Sequence, residues 1–302
     1  MAKPISRKLL GNLLLILTAM IWGMAFAVQR AGAGIVEPGT FNASRMSLAA
    51  LTVGLVLLFS RGRGRKAAPE GGKKGKEENL RGGIACGSIL AAACMLQQKG
   101  LAFTTAGKAG FITALYILFV PLIRAFFFRV KNPPAVRLAV PLGVLGMYLL
   151  CMQGGFRLTR GDALISVCAL LYSGHILCCD HFARRGDPLT IAHIQFLTCA
   201  VLCGAVAALT EHPQPEQLRA AAANILYCGV LSGGVGYTLQ MVAQGFTDPA
   251  AASLLMSLES VFAALSGALL LGERMRPREL LGCLVLFSAV VIVQLPEKKR
   301  SR

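Results

Sequence analysis

Acidic residues are scarce in this chain. Fourteen Asp and Glu stand against 31 Lys and Arg in 302 residues, and charged residues of both signs make up 15%. A soluble domain carries about 25%, so this chain cannot coat an ordinary cytosolic enzyme with charge. Long polar stretches are missing too: outside the apolar runs, no piece reaches the ~50 residues that a separate soluble domain needs. Several chemistries lack their sequence devices. No G-x-x-x-x-G-K-[ST] loop is present, which argues against ATP-driven work by this chain. There is no H-E-x-x-H and no G-x-S-x-G. His175, His181, His193 and His212 lack metal-ligand spacing. Ten cysteines fall in apolar runs with no C-x-x-C. They read as small buried hydrophobes, not as zinc ligands or a disulfide framework. No cofactor, no metal and no catalytic residue are expected.

What the chain has in quantity is hydrocarbon. Hydrophobic residues make up 55%, and the mean hydropathy is +0.62. A helix needs about 20 apolar residues to cross a bilayer. Ten such segments can be marked: 9–30, 39–59, 83–103, 107–128, 135–155, 162–182, 189–209, 220–243, 250–271 and 278–295. The expected fold is an all-α membrane protein of ten transmembrane helices. Asp187-Pro188 and Asp248-Pro249 each place an N-cap residue before a proline at the first helical position. Thr104-Thr105 can cap the fourth span, and Asn132-Pro133-Pro134 separates it from the fifth. Pro121 is expected to kink the fourth span, because it lacks an N–H and clashes with the preceding turn. The longest break, 60–82, is rich in Gly, Lys and Arg. It reads as a disordered loop able to touch anionic lipid. Ala25-Phe26-Ala27 mimics a signal-peptidase site, but the apolar stretch before it is longer than a signal peptide's, so the first span is expected to stay.

The net charge of +17 would suit nucleic acid, but its placement suits a membrane. With the N-terminus cytoplasmic, 20 of the basic residues fall in cytoplasmic segments and 8 in outer ones. Arg45, Lys99 and Arg124 lie inside spans. This bias follows the positive-inside rule. It puts both termini in the cytoplasm and removes the reason to invoke a nucleic-acid partner.

The chain also repeats itself. Phe103–Ala109 (FTTAGKA) matches Phe246–Ala252 (FTDPAAA) at an offset of 143, which sets Leu115 on Leu258, Tyr116 on Glu259 and Phe119 on Phe262. Ala19–Trp22 matches Ala169–Tyr172 at an offset of 150, which Thr40 and Thr190 share. Two five-span units are expected, residues 1–158 and 159–302. Because five is odd, the copies must lie in opposite orientations. Transporters use such inverted repeats to place a binding site near the midplane.

Three runs carry a family resemblance: Ala19–Phe26 (AMIWGMAF), Ala102–Pro121 (AFTTAGKAGFITALYILFVP) and Ala243–Glu273 (AQGFTDPAAASLLMSLESVFAALSGALLLGE). They resemble the EamA family of the drug/metabolite transporter superfamily, and the likeness covers essentially the whole chain. It implies two inverted five-helix halves, a central cavity and both termini in the cytoplasm. The implied location is a bacterial inner membrane. The implied activity is transport of amino acids, metabolites or drugs, with export favoured. The implied partners are a small-molecule substrate and the bilayer, the chain acting as a monomer or homodimer. Ser260 departs from the family's proline after the glutamate, so the ninth span is expected to be straighter. Two alternatives stand: a nucleotide-sugar or phosphate-ester exchanger, which needs several cavity cations, and an intramembrane lipid-modifying enzyme built on Glu259 and His175.

Polar residues inside spans nominate the cavity. An ionisable group there costs about 2.5–3.5 kcal/mol on insertion scales, so it should face a cavity or a partner. Glu259 is the only carboxylate deep in the second half. It can bind a substrate ammonium, take up a proton, or pair with a polar group between helices. Tyr116 is its counterpart in the repeat. Thr18, Trp22, Ala25 and Gln29 share one helical face of the first span. Trp22 is the sole tryptophan and sits mid-span, away from the interfacial belt; it is either a cavity wall or a packing residue. Cys168, Tyr172, His175 and Cys179 share a face of the sixth span, where His175 is either a titrating group or a satisfied interhelical donor. Tyr237, Gln240 and Gln244 form a polar stripe on the eighth. The polar faces of spans one, six and eight are expected to meet in one aqueous cavity. Gln98, at the end of span three, is taken with that cavity, and Lys108 can meet an anionic substrate group. Lys99 is expected to anchor at the interface, and Arg45 and Arg124 to pair or snorkel. Gly83-x-x-x-Gly87 and Gly229-x-x-x-Gly233 permit close helix packing within the chain.

Overall fold

The computed structural model describes residues 6–62, 72–151, 159–271 and 276–294. Its regular elements are all helical. In chain order they are α1 (Arg7–Gly32), α2 (Pro38–Gly62), α3 (Gly72–Leu101), α4 (Ala106–Thr113), α5 (Tyr116–Phe127), α6 (Pro134–Cys151), α7 (Arg160–Ala183) and α8 (Pro188–Thr210). Then come α9 (Pro215–Ala220), α10 (Ala222–Leu226), a π-helix π1 (Tyr227–Tyr237), α11 (Thr238–Gln244), α12 (Pro249–Met256), α13 (Glu259–Leu271) and α14 (Pro277–Gln294). Among the described residues, seven stretches are long and apolar enough to cross a membrane: Arg7–Gly32, Pro38–Ser60, Gly75–Leu101, Lys108–Phe127, Arg160–Ala183, Pro188–Thr210 and Ala222–Gln244. The other three expected spans fall on α6, on α12 with α13, and on α14, outside this set. Large apolar side chains such as Phe59, Phe127, Val201 and Leu209 stand exposed on the outside of the bundle, where only a bilayer would cover them without penalty.

Local chemistry sets the helix starts. Asp187 accepts from Thr190 N, Asp248 from Ala250 N, and Thr105 from Lys108 N. Thr159 and Asp162 form a reciprocal capping box at the start of α7. The basic stretch expected to be a loop over 60–82 is helical from Gly72 onward. Its centre, 63–71, lies outside the described residues, as do 272–275 with Arg274.

The fourth and ninth spans are broken, and not where the prolines pointed. Span four divides at Ala114-Leu115, before Pro121, which sits inside α5. Span nine divides at Ser257-Leu258, two residues before Ser260, which stands where the family has proline. At both places the backbone tightens into bonds three residues apart: Leu115 N to Ile112 O at 3.2 Å, and Leu258 N to Leu255 O at 3.3 Å. The two breaks are related by the offset of 143.

Packing pairs α2 with α8, α6 with α14, and α3 with both α7 and α8. π1 lies on α1 and α2, α1 on α13, and α5 on α7. Gly87 lets α3 approach the Gln195 backbone, and Gly229 lets π1 approach the Arg45 backbone, so both small-residue motifs serve packing within the chain. Two separate sets of polar ties bind the helix ends. In one, Glu211 at the end of α8 accepts from Gly39 N, Thr40 N and Thr40 Oγ1 at 2.6–2.7 Å. Asp162 belongs to the same set, joining α7 to Thr104 and Lys108. In the other, Asn79 Oδ1 accepts from Asp187 N at 2.8 Å, Arg124 pairs with Asp248 at 2.7 Å, and Arg184 donates to Thr247 O at 3.1 Å. The first set gathers the N-terminal ends of α2, α4 and α7. The second gathers those of α3, α8 and α12.

Candidate functional site

A cavity of about 40 Å³ lies where α1, α7 and π1 meet the two broken spans. Eight of the side chains nominated from the sequence line it: Trp22, Gln29, Tyr116, Tyr172, His175, Tyr237, Gln240 and Glu259. Spans one, six and eight therefore do converge.

The aromatic wall is built around Tyr237. Trp22 lies 4.7 Å from it between ring centroids, tilted by 54°. Trp22 Nε1 donates to Ser232 O at 3.1 Å. A Cβ on residue 236 would stand 2.6 Å from that nitrogen, so Gly236 is what lets the indole reach the π-helix backbone. Tyr237 Oη donates to Tyr172 Oη at 3.2 Å, and Tyr172 Oη donates to Gln97 Oε1 at 3.2 Å. Gln97 Nε2 continues the chain to Thr113 Oγ1 at 3.3 Å. His175 stands edge-on to Tyr237, and its Nε2 lies 2.8 Å from Gln195 Oε1. That is the satisfied interhelical arrangement.

Glu259 begins α13, directly after the break in span nine, and Tyr116 begins α5, directly after the break in span four. Tyr116 Oη donates to Glu259 Oε1 at 3.0 Å, and both side chains are buried. The two repeat-related positions are thus bonded to each other. Not every buried polar atom is so provided for. Gln29 Oε1, Gln240 Oε1 and Arg45 Nη2 have no hydrogen-bond partner, although burying such a group unpaired costs about 1–3 kcal/mol, more if charged.

Two nominations are corrected. Gln98 does not line the cavity; its Nε2 donates to Gln29 O at 3.1 Å, and Gln97, one helical step round, holds the cavity position. Lys108 also lies off the cavity. Its ammonium pairs with the buried carboxylate of Asp162, which also accepts from Thr104 Oγ1 and Thr159 N. Arg124 is likewise engaged, by Asp248, and Lys99 is exposed.

Four polar lining residues were missed: Arg45, Gln97, Thr113 and Ser232. Arg45 carried a signal, a charge inside a span, but nothing in the sequence aimed it inward. Ser232 and Tyr237 share a face only because bonding five residues apart widens the π-helix turn, and α-helical spacing hides that pair. The described cysteines are free thiols. Among the described residues no group of three His, Cys, Asp or Glu is placed to hold a metal.

Comparison with known proteins agrees with this arrangement. A solved crystal structure is similar at a TM-score of 0.73 and 18% identity, over 94% of this chain and 96% of that one, which shows a shared fold. A protein of Archaeoglobus fulgidus, named as an uncharacterised transporter, is 28% identical over 289 residues, covering 96% of this chain and 87% of the relative. An uncharacterised protein of Pseudomonas aeruginosa is 35% identical over 117 residues, 38% of this chain and 40% of that protein. The EamA-like transporter family matches residues 9–152 and 159–295. With its apolar spans and buried polar cavity, the chain belongs to the EamA-like transporter family, in the drug/metabolite transporter superfamily.

Proposed function

We propose that this protein moves a small organic solute across the membrane by alternating access, holding it in the cavity while two five-span halves rock around it. The observation that carries this reading is the bond between Tyr116 and Glu259 across the cavity, at the two helix breaks. Broken helices at a repeat interface are where secondary transporters place substrate sites. In this reading residues 1–158 and 159–302 are inverted copies with ten spans in all. The packing supports it: α1 on α13 mirrors α7 on α5, and α3 on α8 mirrors π1 on α2. The two sets of polar ties at helix ends support it as well, because they divide the loops as ten alternating spans would. The 20 to 8 bias of basic residues supports cytoplasmic termini. Export is the direction that the family resemblance favours.

Phosphate-ester exchange is less well served. Such a substrate would need Lys99, Lys108 and Arg124 in the cavity, but Lys99 is exposed and Lys108 and Arg124 are engaged by Asp162 and Asp248, which leaves Arg45 as the cavity's Lys or Arg. An acid/base pair for lipid chemistry is not assembled either, since Glu259 bonds Tyr116 while His175 bonds Gln195. The test is uptake by purified protein in liposomes, with the accumulated compound identified by mass spectrometry. Saturable entry of a chemically unchanged solute is expected. A modified product, or entry that only tracks concentration, would overturn the reading.

A further inference from the structure

Arg45 is a buried charge that the fold does not explain. It comes from the middle of α2, is 1% exposed, and lines the cavity. Its Nε donates to Asn42 Oδ1 at 2.8 Å. Asn42 is itself held, donating to Pro38 O at 2.8 Å and Cys94 O at 3.2 Å. The guanidinium is therefore aimed, not loose. Its Nη2 has no partner, and no carboxylate among the described residues stands within ion-pair distance. The ionisable side chains nearest to it are Cys94, Cys228, Tyr172 and Tyr237, thiols and phenols rather than carboxylates. Phe41 adds only an aromatic face, 5.8 Å from the guanidinium carbon.

A permanently charged fork, buried and oriented but unpaired, is costly to keep. Such a fork matches the planar oxygens of a carboxylate. We infer that Arg45 is the carboxylate-recognition residue of the cavity, so that the solute is a small organic acid whose carboxylate docks on the free edge of the guanidinium. The unpartnered acceptors of Gln29 and Gln240 in the same cavity call for hydrogen-bond donors elsewhere on that solute. The inference rests on the cavity being the transport site, but it is tested by binding and stability, which do not require flux.

Two measurements decide it. The first is thermal stability of the purified, solute-free protein. If the unpaired charge waits for a ligand, Arg45→Met should raise the melting temperature; a clear fall would make Arg45 a structural residue and end the proposal. The second uses Trp22, the only tryptophan, as a reporter inside the cavity. Acetate, acetamide and chloride are titrated at constant ionic strength. Acetate should change Trp22 emission saturably in the wild type, and acetamide should bind at least about tenfold more weakly, as the loss of a charge-assisted hydrogen bond implies. Arg45→Met should lose the acetate response, and Arg45→Lys should keep part of it. Equal responses to acetate and acetamide, equal responses to acetate and chloride, or no acetate response would each overturn the assignment. Flux in liposomes without this discrimination would leave the transport reading standing and remove only the carboxylate site.

Discussion

Glu259→Gln is expected to leave a folded protein that hardly transports. The substitution is nearly isosteric, and its amide oxygen can still accept the Tyr116 hydroxyl now bonded at 3.0 Å. Stability should therefore change little. What disappears is the carboxylate at the junction of the two broken spans. A substrate ammonium or a transferred proton bound there would lose its charged partner. Hydrogen bonds to charged groups are worth about 1.5–3 kcal/mol, so transport should fall by about tenfold or more. Glu259→Ala should do the same and also lower stability, because it strands the buried Tyr116 hydroxyl. Initial rates in proteoliposomes and melting curves in detergent separate the two effects. Normal rates from well-folded Glu259→Gln protein would make this glutamate structural, and proton coupling through it would fall.

The largest stability loss is expected at Asp162. Its side chain is fully buried and holds three elements together: Lys108 of α4 by an ion pair, Thr104 by a 2.8 Å hydrogen bond, and Thr159 N by a 2.7 Å bond that completes the capping box of α7. Removing one partner of a buried ion pair costs about 3–5 kcal/mol, because the other charge is left uncompensated. Asp162→Ala should therefore lower the melting temperature far more than Glu259→Gln does. Asp162→Asn should fall between, since an amide still accepts one bond but carries no charge for Lys108. An Asp162→Ala protein as stable as the wild type would show that the ion pair contributes nothing.

Glu259 and Asp162 also mark how far the sequence could be read. Asp162 begins a helix that its apolar run announced. Yet its bonds to Thr104 and Lys108 join residues more than fifty positions apart, and no local pattern reports that. Glu259 stands out as a carboxylate in hydrocarbon, and the offset of 143 ties it to Tyr116, so this pair of the candidate site was legible. The helices were legible for the same reason, because twenty apolar residues leave the backbone no option in lipid but to bond to itself. Their breaks were not. Pro121 lies inside α5 rather than at the break, and span nine breaks at Ser257-Leu258 with no proline there, so no local residue announces either place. The π-helix was hidden for a related reason: its glycines at 229, 233, 234 and 236 can also be read as an ordinary small-residue packing face. Gln97 and Gln98 stand one helical step apart, about 100°, and that step separates a cavity face from a buried contact.

Under alternating access, one cavity opens in turn to each side of the membrane. Met256 lines it, just before the break in span nine. A single cysteine at this position, in protein freed of its native cysteines, can be challenged with a membrane-impermeant maleimide in vesicles of known orientation. Labelling from either face, slowed from both by the transported solute, is expected. Labelling from one face only, unchanged by solute, would contradict it.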